Sequence, residues 1–254
     1  MSDDVGEIDE IAEGFVRDLT ESVREMTVRF LGPGRSSESV LALARNMLNI
    51  FDLTQERMAA MFPPSRPLAC AKGCTYCCHL LVFTDAPTVL LMADDLQRTL
   101  APAAQEELTA RLAAFEEADY GLSMVPRPAC PLLVDDLCQA YDKRPLVCRA
   151  QNALDVYQCL RKFEGGRKLV VAHDIPLIVW NAVSDGLSAG LAEAGLGADG
   201  TLELSKAMRI ALETPDAPGR WLAGDALFAP ARWSGAGGEH HTGRKVAQLM
   251  GFVN

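Results

Sequence analysis

The sequence is short of positive charge, of long apolar runs and of nucleotide-binding signatures. Asp and Glu outnumber Lys and Arg by 34 to 24 over 254 residues, a net charge of −10. A surface that neutralises phosphates needs the opposite balance, so no nucleic-acid partner is expected. The first ten residues, MSDDVGEIDE, are acidic and carry no basic region followed by an apolar stretch, so they do not read as a secretory signal. No apolar run reaches the length that crosses a bilayer; residues 169–180 come nearest and are broken by His173, Asp174 and Pro176. The expectation is a cytoplasmic protein with no membrane partner. Also missing are a phosphate loop, a dinucleotide fingerprint, a defensible Ser/His/Asp order and any internal repeat.

Cysteine is what the chain concentrates. Seven of its eight cysteines fall in two stretches, Cys70-Ala-Lys-Gly-Cys74-Thr-Tyr-Cys77-Cys78 and a second holding Cys130, Cys138 and Cys148. The eighth, Cys159, follows eleven residues later. Clustered thiols either cross-link a chain or hold a soft metal. A chain of this length can bury a full core without disulfides, and a reducing compartment keeps thiols free, so metal is the expected use.

Apolar periodicity predicts the scaffold. Ile8, Ile11, Phe15, Leu19, Val23, Met26 and Phe30 mark one helix face, ended by Gly32-Pro33-Gly34. Ser36 or Ser37 caps a second helix with Val40, Ala44, Met47, Phe51, Met58 and Met61 inward, antiparallel to the first. Such stripes read as core rather than as a partner groove. A short strand over 80–83 follows, then a helix capped by Thr84 with Pro87 in its first turn, ending near Thr99. Another helix covers 103–118, and a loop over 120–129 leads to the second cysteine stretch. Residues 132–134 and 137–140 pair as a small hairpin through Asp135-Asp136. Pro145 opens a helix carrying Cys148 and Arg149. A strand-like run over 169–172, helices over 176–194 and 201–212, a loop over 214–238 and a last helix over 243–252 complete the chain. The expectation is a mainly α protein with a small irregular cysteine-rich metal module holding at most a short β-hairpin. Its parts are a helical pair over 1–66, the cysteine module over 67–165 and a helical region over 166–254, packed as one unit.

Cys70, Cys74 and Cys77 can face one cavity if the loop curls, which Gly73 permits. Adjacent Cys77 and Cys78 project differently and serve different metals, or one of them is not a ligand. Eight thiols suffice for two four-thiolate sites, one cluster with spare thiols, or a bridged binuclear centre; spacing does not choose. Four thiolates around Zn²⁺ or a [4Fe–4S]²⁺ core leave a charge of about −2. Residues 141–168 hold seven basic residues against three acidic ones, and Arg144, Arg149 and Lys72 are the candidates to balance that charge. Cys159 is the candidate eighth ligand and His79 an alternative one. His240-His241 reads as surface, and His173-Asp174 as a turn rather than an acid–base pair.

Cys70-x3-Cys74-x-Tyr76-Cys77 also matches the triplet of radical S-adenosylmethionine enzymes, and Gly237-Gly238-Glu239 resembles their methionine-binding motif. The context differs: two helices precede the triplet, Gly-Gly-Glu lies far downstream, and no strand–helix alternation builds a barrel. All seven clustered cysteines resemble instead a bacterial cysteine-cluster family of zinc- or iron-chelating domains. That family's pattern appears as Cys70, Cys74, Cys77-Cys78, then Cys130-Pro131-Leu132-Leu133, then Cys138-Gln-Ala-Tyr141-Asp-Lys-Arg144-Pro145-Leu-Val-Cys148-Arg149. The resemblance spans about 68–165 and implies that the cysteines are the ligands. Some larger relatives methylate flagellin lysines; nothing in this sequence shows a methyl-donor site. The expected cofactor is an iron–sulfur cluster, [4Fe–4S] in preference, with Zn²⁺ the alternative. The expected role is redox or protein-modifying work on a protein partner or substrate. The competing roles are a structural-zinc interaction module and a methyltransferase-like enzyme using S-adenosylmethionine and the cluster.

Overall fold

Helix α1 (Asp3–Leu31) is the longest element, and its strongest partner lies far along the chain, in α7 (Asp174–Glu193). Two glycines of α7 make that packing close. A Cβ at Gly186 would stand 2.3 Å from the Thr20 carbonyl oxygen, and one at Gly190 would stand 2.5 Å from the Thr27 Cβ. Thr20 Oγ1 donates across the same seam to the Ala182 carbonyl at 3.2 Å. Glycine at these two positions is thus required by the approach of another helix.

The computed structural model describes residues 3–117, 128–166 and 170–233. Outside them lie Arg167, Lys168, most of the loop expected over 120–129, the Gly237-Gly238-Glu239 and His240-His241 motifs, and the helix expected over 243–252. Among the described residues the chain is mainly α, with two two-stranded antiparallel ribbons.

Helix α2 (Ser37–Met61) begins as expected, at Ser36, whose side chain accepts from the Ser39 N–H while Ser39 returns the bond in a capping box. Val40, Ala44, Met47 and Phe51 are buried as the stripe predicted, but Met61 is 63% exposed. The helix outruns the core there, so its last inward position faces solvent. Helix α2 packs on α3 (Ala86–Thr99) and α7 as well as on α1.

Asp85, not Thr84, caps α3, its carboxylate accepting from the Thr88 N–H at 2.8 Å and the Thr88 hydroxyl at 3.0 Å. Thr84 instead ends strand β1 (Phe83–Thr84), which pairs with β4 (Leu202–Glu203). A carboxylate that bonds two donors takes the cap from a threonine whose backbone is paired in a strand. Helix α4 (Pro102–Glu117) buries Leu108 and Leu112. It packs on α8 (Leu204–Glu213), which starts three residues later than expected because β4 takes the preceding positions. The stretch expected as loop over 214–238 contains α9 (Ala217–Leu222), capped by Asp216 with Pro218 in its first turn. The strand-like run near 170 yields one bridge, Ala153 to Ala172.

Arg35 ties three helix ends together. Its guanidinium donates to the carbonyls of Leu31, Ala194 and Leu222, at the C-termini of α1, α7 and α9. Unpaired carbonyls carry the negative end of each helix dipole, so one cation satisfies three of them. Helix α7 is 20 residues long with a mean hydropathy of 1.2, enough to cross a membrane by length and composition, contrary to the sequence expectation. In this fold that apolarity is used in the core: Leu177, Val179, Trp180, Val183 and Leu187 are all buried. The buried side chains form one cluster that also takes in Leu132, Ala140, Leu146 and Val147 from the cysteine module.

Candidate metal centre

The second cysteine stretch is built from regular pieces. Strands β2 (Leu133–Val134) and β3 (Leu137–Cys138) form the expected hairpin, with Leu133 opposite Cys138. Asp135 and Asp136 turn it with φ of 49° and 61°, the paired positive values of a two-residue primed turn, which aspartate tolerates. The hairpin folds Cys138 back beside Cys130. Arg111 of α4 pins it, donating to the Pro131 carbonyl at 3.0 Å and to Gln139 Oε1 at 2.8 Å. A single 3-10 turn, Tyr141–Lys143, leads to Pro145, which opens helix α5 (Leu146–Ala150) as expected and presents Cys148.

The first stretch has less structure of its own. Gly73 takes φ +91°, the turn geometry expected of it, and the Cys74 N–H closes the turn on the Ala71 carbonyl. A 3-10 turn, Tyr76–His79, carries Cys77 and Cys78. Two backbone bonds join this loop to the rest: Cys130 N–H to the Cys78 carbonyl at 2.8 Å, and Ala69 N–H to the Ala153 carbonyl at 2.8 Å. Helix α6 (Val156–Phe163), which bears Cys159, packs on the 3-10 turn through Phe163, with Tyr76 and His79 against its ring.

These pieces enclose one cavity of about 210 Å³, lined by Cys70, Cys74, Cys77, Cys78, Cys130, Cys138 and Cys148. Cys159 and His79 are not in its wall. Among the described residues no three His, Cys, Asp or Glu stand in a metal-holding arrangement, so loading requires the sulfurs to draw together. All eight cysteines are free thiols and partly buried. Cys77 is the meeting point: it lies near enough to Cys70 of its own stretch, to Cys130, Cys138 and Cys148 of the other, and to Cys159, that a thiolate there would oppose ionisation of each.

Burial favours the neutral form of five of these thiols. It pushes Cys130 and Cys159 up to about 12 and raises Cys70, Cys138 and Cys148. For Cys77 the larger cause is a hydrogen bond with the neighbouring Cys78 thiol, with burial second. Opposing this, the backbone N–H groups of Leu132 and Ala140 donate to Cys130 and Cys138, and the Ala153 N–H reaches Cys70 Sγ at 3.1 Å. Sulfurs in a buried wall, with amides aimed at three of them, suit a soft cation that would supply the charge the protein lacks.

Arg144 is placed to balance that charge. Its guanidinium lies 3.9 Å from the Tyr141 ring centroid, donates to the Tyr141 carbonyl, and favours the thiolate form of Cys77, Cys138 and Cys148. Lys72 sits over the same ring at 5.3 Å. Arg149 borders the cavity, but its guanidinium bonds Asp52 of α2 and the carbonyls of Asp142 and Arg144. Asp52 has no signal in the sequence: it is one of three acids, with Glu38 and Glu56, on a helix remote from the cysteines. His173 lies at the start of α7, its N–H on the Asn152 carbonyl and its ring outside the cavity wall.

No curated protein and no solved structure matches the chain. Residues 69–166, well under half of the chain, match the model of the CxxCxxCC family, described as "Putative zinc- or iron-chelating domain". The matched segment contains all eight cysteines, seven of which line the cavity, and over residues 69–166 the chain is similar to that family.

Proposed function

We propose that this chain is a metalloprotein carrying an iron–sulfur cluster, of the [4Fe–4S] type, on thiolates drawn from both cysteine stretches. The observation that carries the reading is the single cavity of about 210 Å³ walled by seven sulfurs. One zinc ion takes four ligands, so seven thiols on one cavity exceed what a single ion uses. A cluster bound there supplies one-electron chemistry. The chain's own residues bind it through thiolates, direct amides at the sulfurs and set Arg144 against the residual negative charge. Free clustered thiols suit a reducing, cytoplasmic setting, and the acidic surface suits a protein rather than a nucleic-acid partner or substrate.

A second reading, a structural zinc, is favoured by one feature. Cys138 and Cys148 sit on a hairpin and a helix, with Cys130 three residues before the hairpin, a triplet of the kind that closes a four-ligand site with one further thiol.

Anaerobic purification with metal and sulfide analysis separates the two. The cluster reading expects iron and acid-labile sulfide in equal amounts, about four of each per chain, and a brown colour that bleaches on reduction. Colourless protein with stoichiometric zinc would replace it with the second reading. Neither metal in stoichiometric amount would overturn both.

A further inference from the structure

We propose that Asp52, which lies outside the family-matched segment, is a positioning residue of the metal centre, acting through Arg149 on the turn that leads into Arg144 and on the short helix that carries Cys148. The inference rests on the metal-binding reading above.

The Arg149 side chain is 7% exposed, and its fork is fully directed. Nη1 donates to Asp52 Oδ2 at 2.5 Å, Nε to the Arg144 carbonyl at 3.1 Å, and Nη2 to the Asp142 carbonyl. Two of the three contacts thus grip the backbone on either side of Lys143, at the 3-10 turn. That turn sets the Tyr141 ring on which Arg144 stacks, and Arg144 is the cation that acts on three thiols of the cavity. Cys148 precedes Arg149 on the same short helix. Asp52 is therefore the outer end of a chain of contacts, from α2 through Arg149 to the charge and the sulfur at the cavity wall.

A carboxylate is needed at that end. Arg149 is buried and lies close enough to Arg144 for the two positive charges to oppose each other. With Asp52 gone, a buried guanidinium loses its counter-ion beside a second one, which disfavours the gripped geometry. Lysine cannot replace the guanidinium, since one ammonium cannot reach a carboxylate and two carbonyls in a planar fork.

Direct and indirect effects have opposite signs, which makes the inference testable. Removing the Asp52 charge makes the surroundings more positive, and through space that would strengthen thiolate binding to a cation. The direct effect is weak because the Asp52 side chain is 44% exposed and screened by solvent. Loss of positioning weakens binding, by about 10- to 100-fold for residues that support metal ligands.

The test is a competition titration of the reduced, metal-free full-length chain with zinc against a chromogenic chelator, with the thermal midpoint of each metal-free protein recorded alongside. Asp52→Asn and Arg149→Lys are expected to weaken zinc binding about 10- to 100-fold at unchanged stoichiometry. Asp52→Glu is expected to recover most of the affinity. Unchanged or tighter binding by Asp52→Asn overturns the inference, whether or not its thermal midpoint falls. The same comparison is run with iron and sulfide reconstitution: wild-type chain that takes up neither zinc nor a cluster overturns the metal reading itself, and the inference with it, whereas wild-type uptake of either with an unaffected Asp52→Asn overturns the inference alone.

Discussion

The two cysteine stretches meet at one cavity but are held in different ways. The second is anchored in the core: Pro131, Leu132, Ala140, Pro145, Leu146, Val147, Arg149 and Ala150 are all buried, interleaved with its three cysteines. The first has no buried residue between 68 and 81. It is a loop of two tight turns, attached by a few backbone bonds and covered on one side by α6. One half of the centre is therefore a wall fixed by folding of the whole chain, and the other is a cover whose order depends on what it closes over. Folding and metal uptake act on different segments, and mutations should separate them.

The largest effect should come from Cys77, which faces thiols of both stretches. Cys77→Ser should abolish metal retention after anaerobic purification, whereas Cys159→Ser, outside the cavity wall, should keep most of the metal. Equal loss in both would mean that the wall is drawn wrongly.

Next comes the anchored wall. Leu146 is 4% exposed within the common core, and Leu146→Ala should destabilise the metal-free chain by about 2 to 5 kcal/mol in chemical denaturation. Lys72→Ala, in the cover, should change that stability by under about 0.5 kcal/mol. A similar loss at both positions would erase the distinction between wall and cover.

Chelation gives a reading without mutation. Amides 70–78 should lose hydrogen-exchange protection when metal is removed, while those of 131–150 keep theirs. Uptake should also depend on pH with a definite sign. Burial raises Cys70, Cys130, Cys138 and Cys148, so these four thiols are protonated in the metal-free chain at neutral pH and each must release a proton to become a ligand. Affinity should therefore rise with pH through neutrality and fall as the solution is acidified, with log K climbing per pH unit by close to the number of thiols bound. A flat profile would mean that other atoms hold the metal.

A smaller effect on metal binding than that of Cys77→Ser is expected at Gly73. Nothing lies within 4 Å of an added Cβ, so Gly73→Ala meets only the strain of φ +91°, about 1 to 2 kcal/mol. That should appear as weaker metal binding by roughly ten-fold and as no change in the unfolding of the metal-free core.

Much of this was legible in the sequence where the signal is local. The Asp135-Asp136 hairpin, the Ser36 cap, Pro145 at the start of α5 and the turn at Gly73 each depend on a few neighbouring residues. What escaped depends on distance or on brevity. The pairing of α1 with α7 rests on Gly186 and Gly190 meeting residues more than 160 positions away, and β1 finds its partner β4 well over 100 residues later. Helix α9 is six residues long, too short for a periodic stripe, although Asp216-Ala-Pro218 carried a cap-and-proline signal. Helix α7 hid its apolar length because His173, Asp174 and Pro176 fall at its very start. In the centre itself the cysteines and Arg144 were visible as a motif. The contacts of Arg149 were not, because its partner Asp52 sits 97 residues upstream with nothing around it to mark it.

X-ray absorption at the metal edge of anaerobically purified protein tests the central claim most directly. Convergence of the two stretches predicts an all-sulfur coordination shell, at about 2.3 Å if the metal is zinc, that disappears in the Cys77→Ser protein. A shell of nitrogen and oxygen neighbours, or one left intact by that substitution, would contradict it.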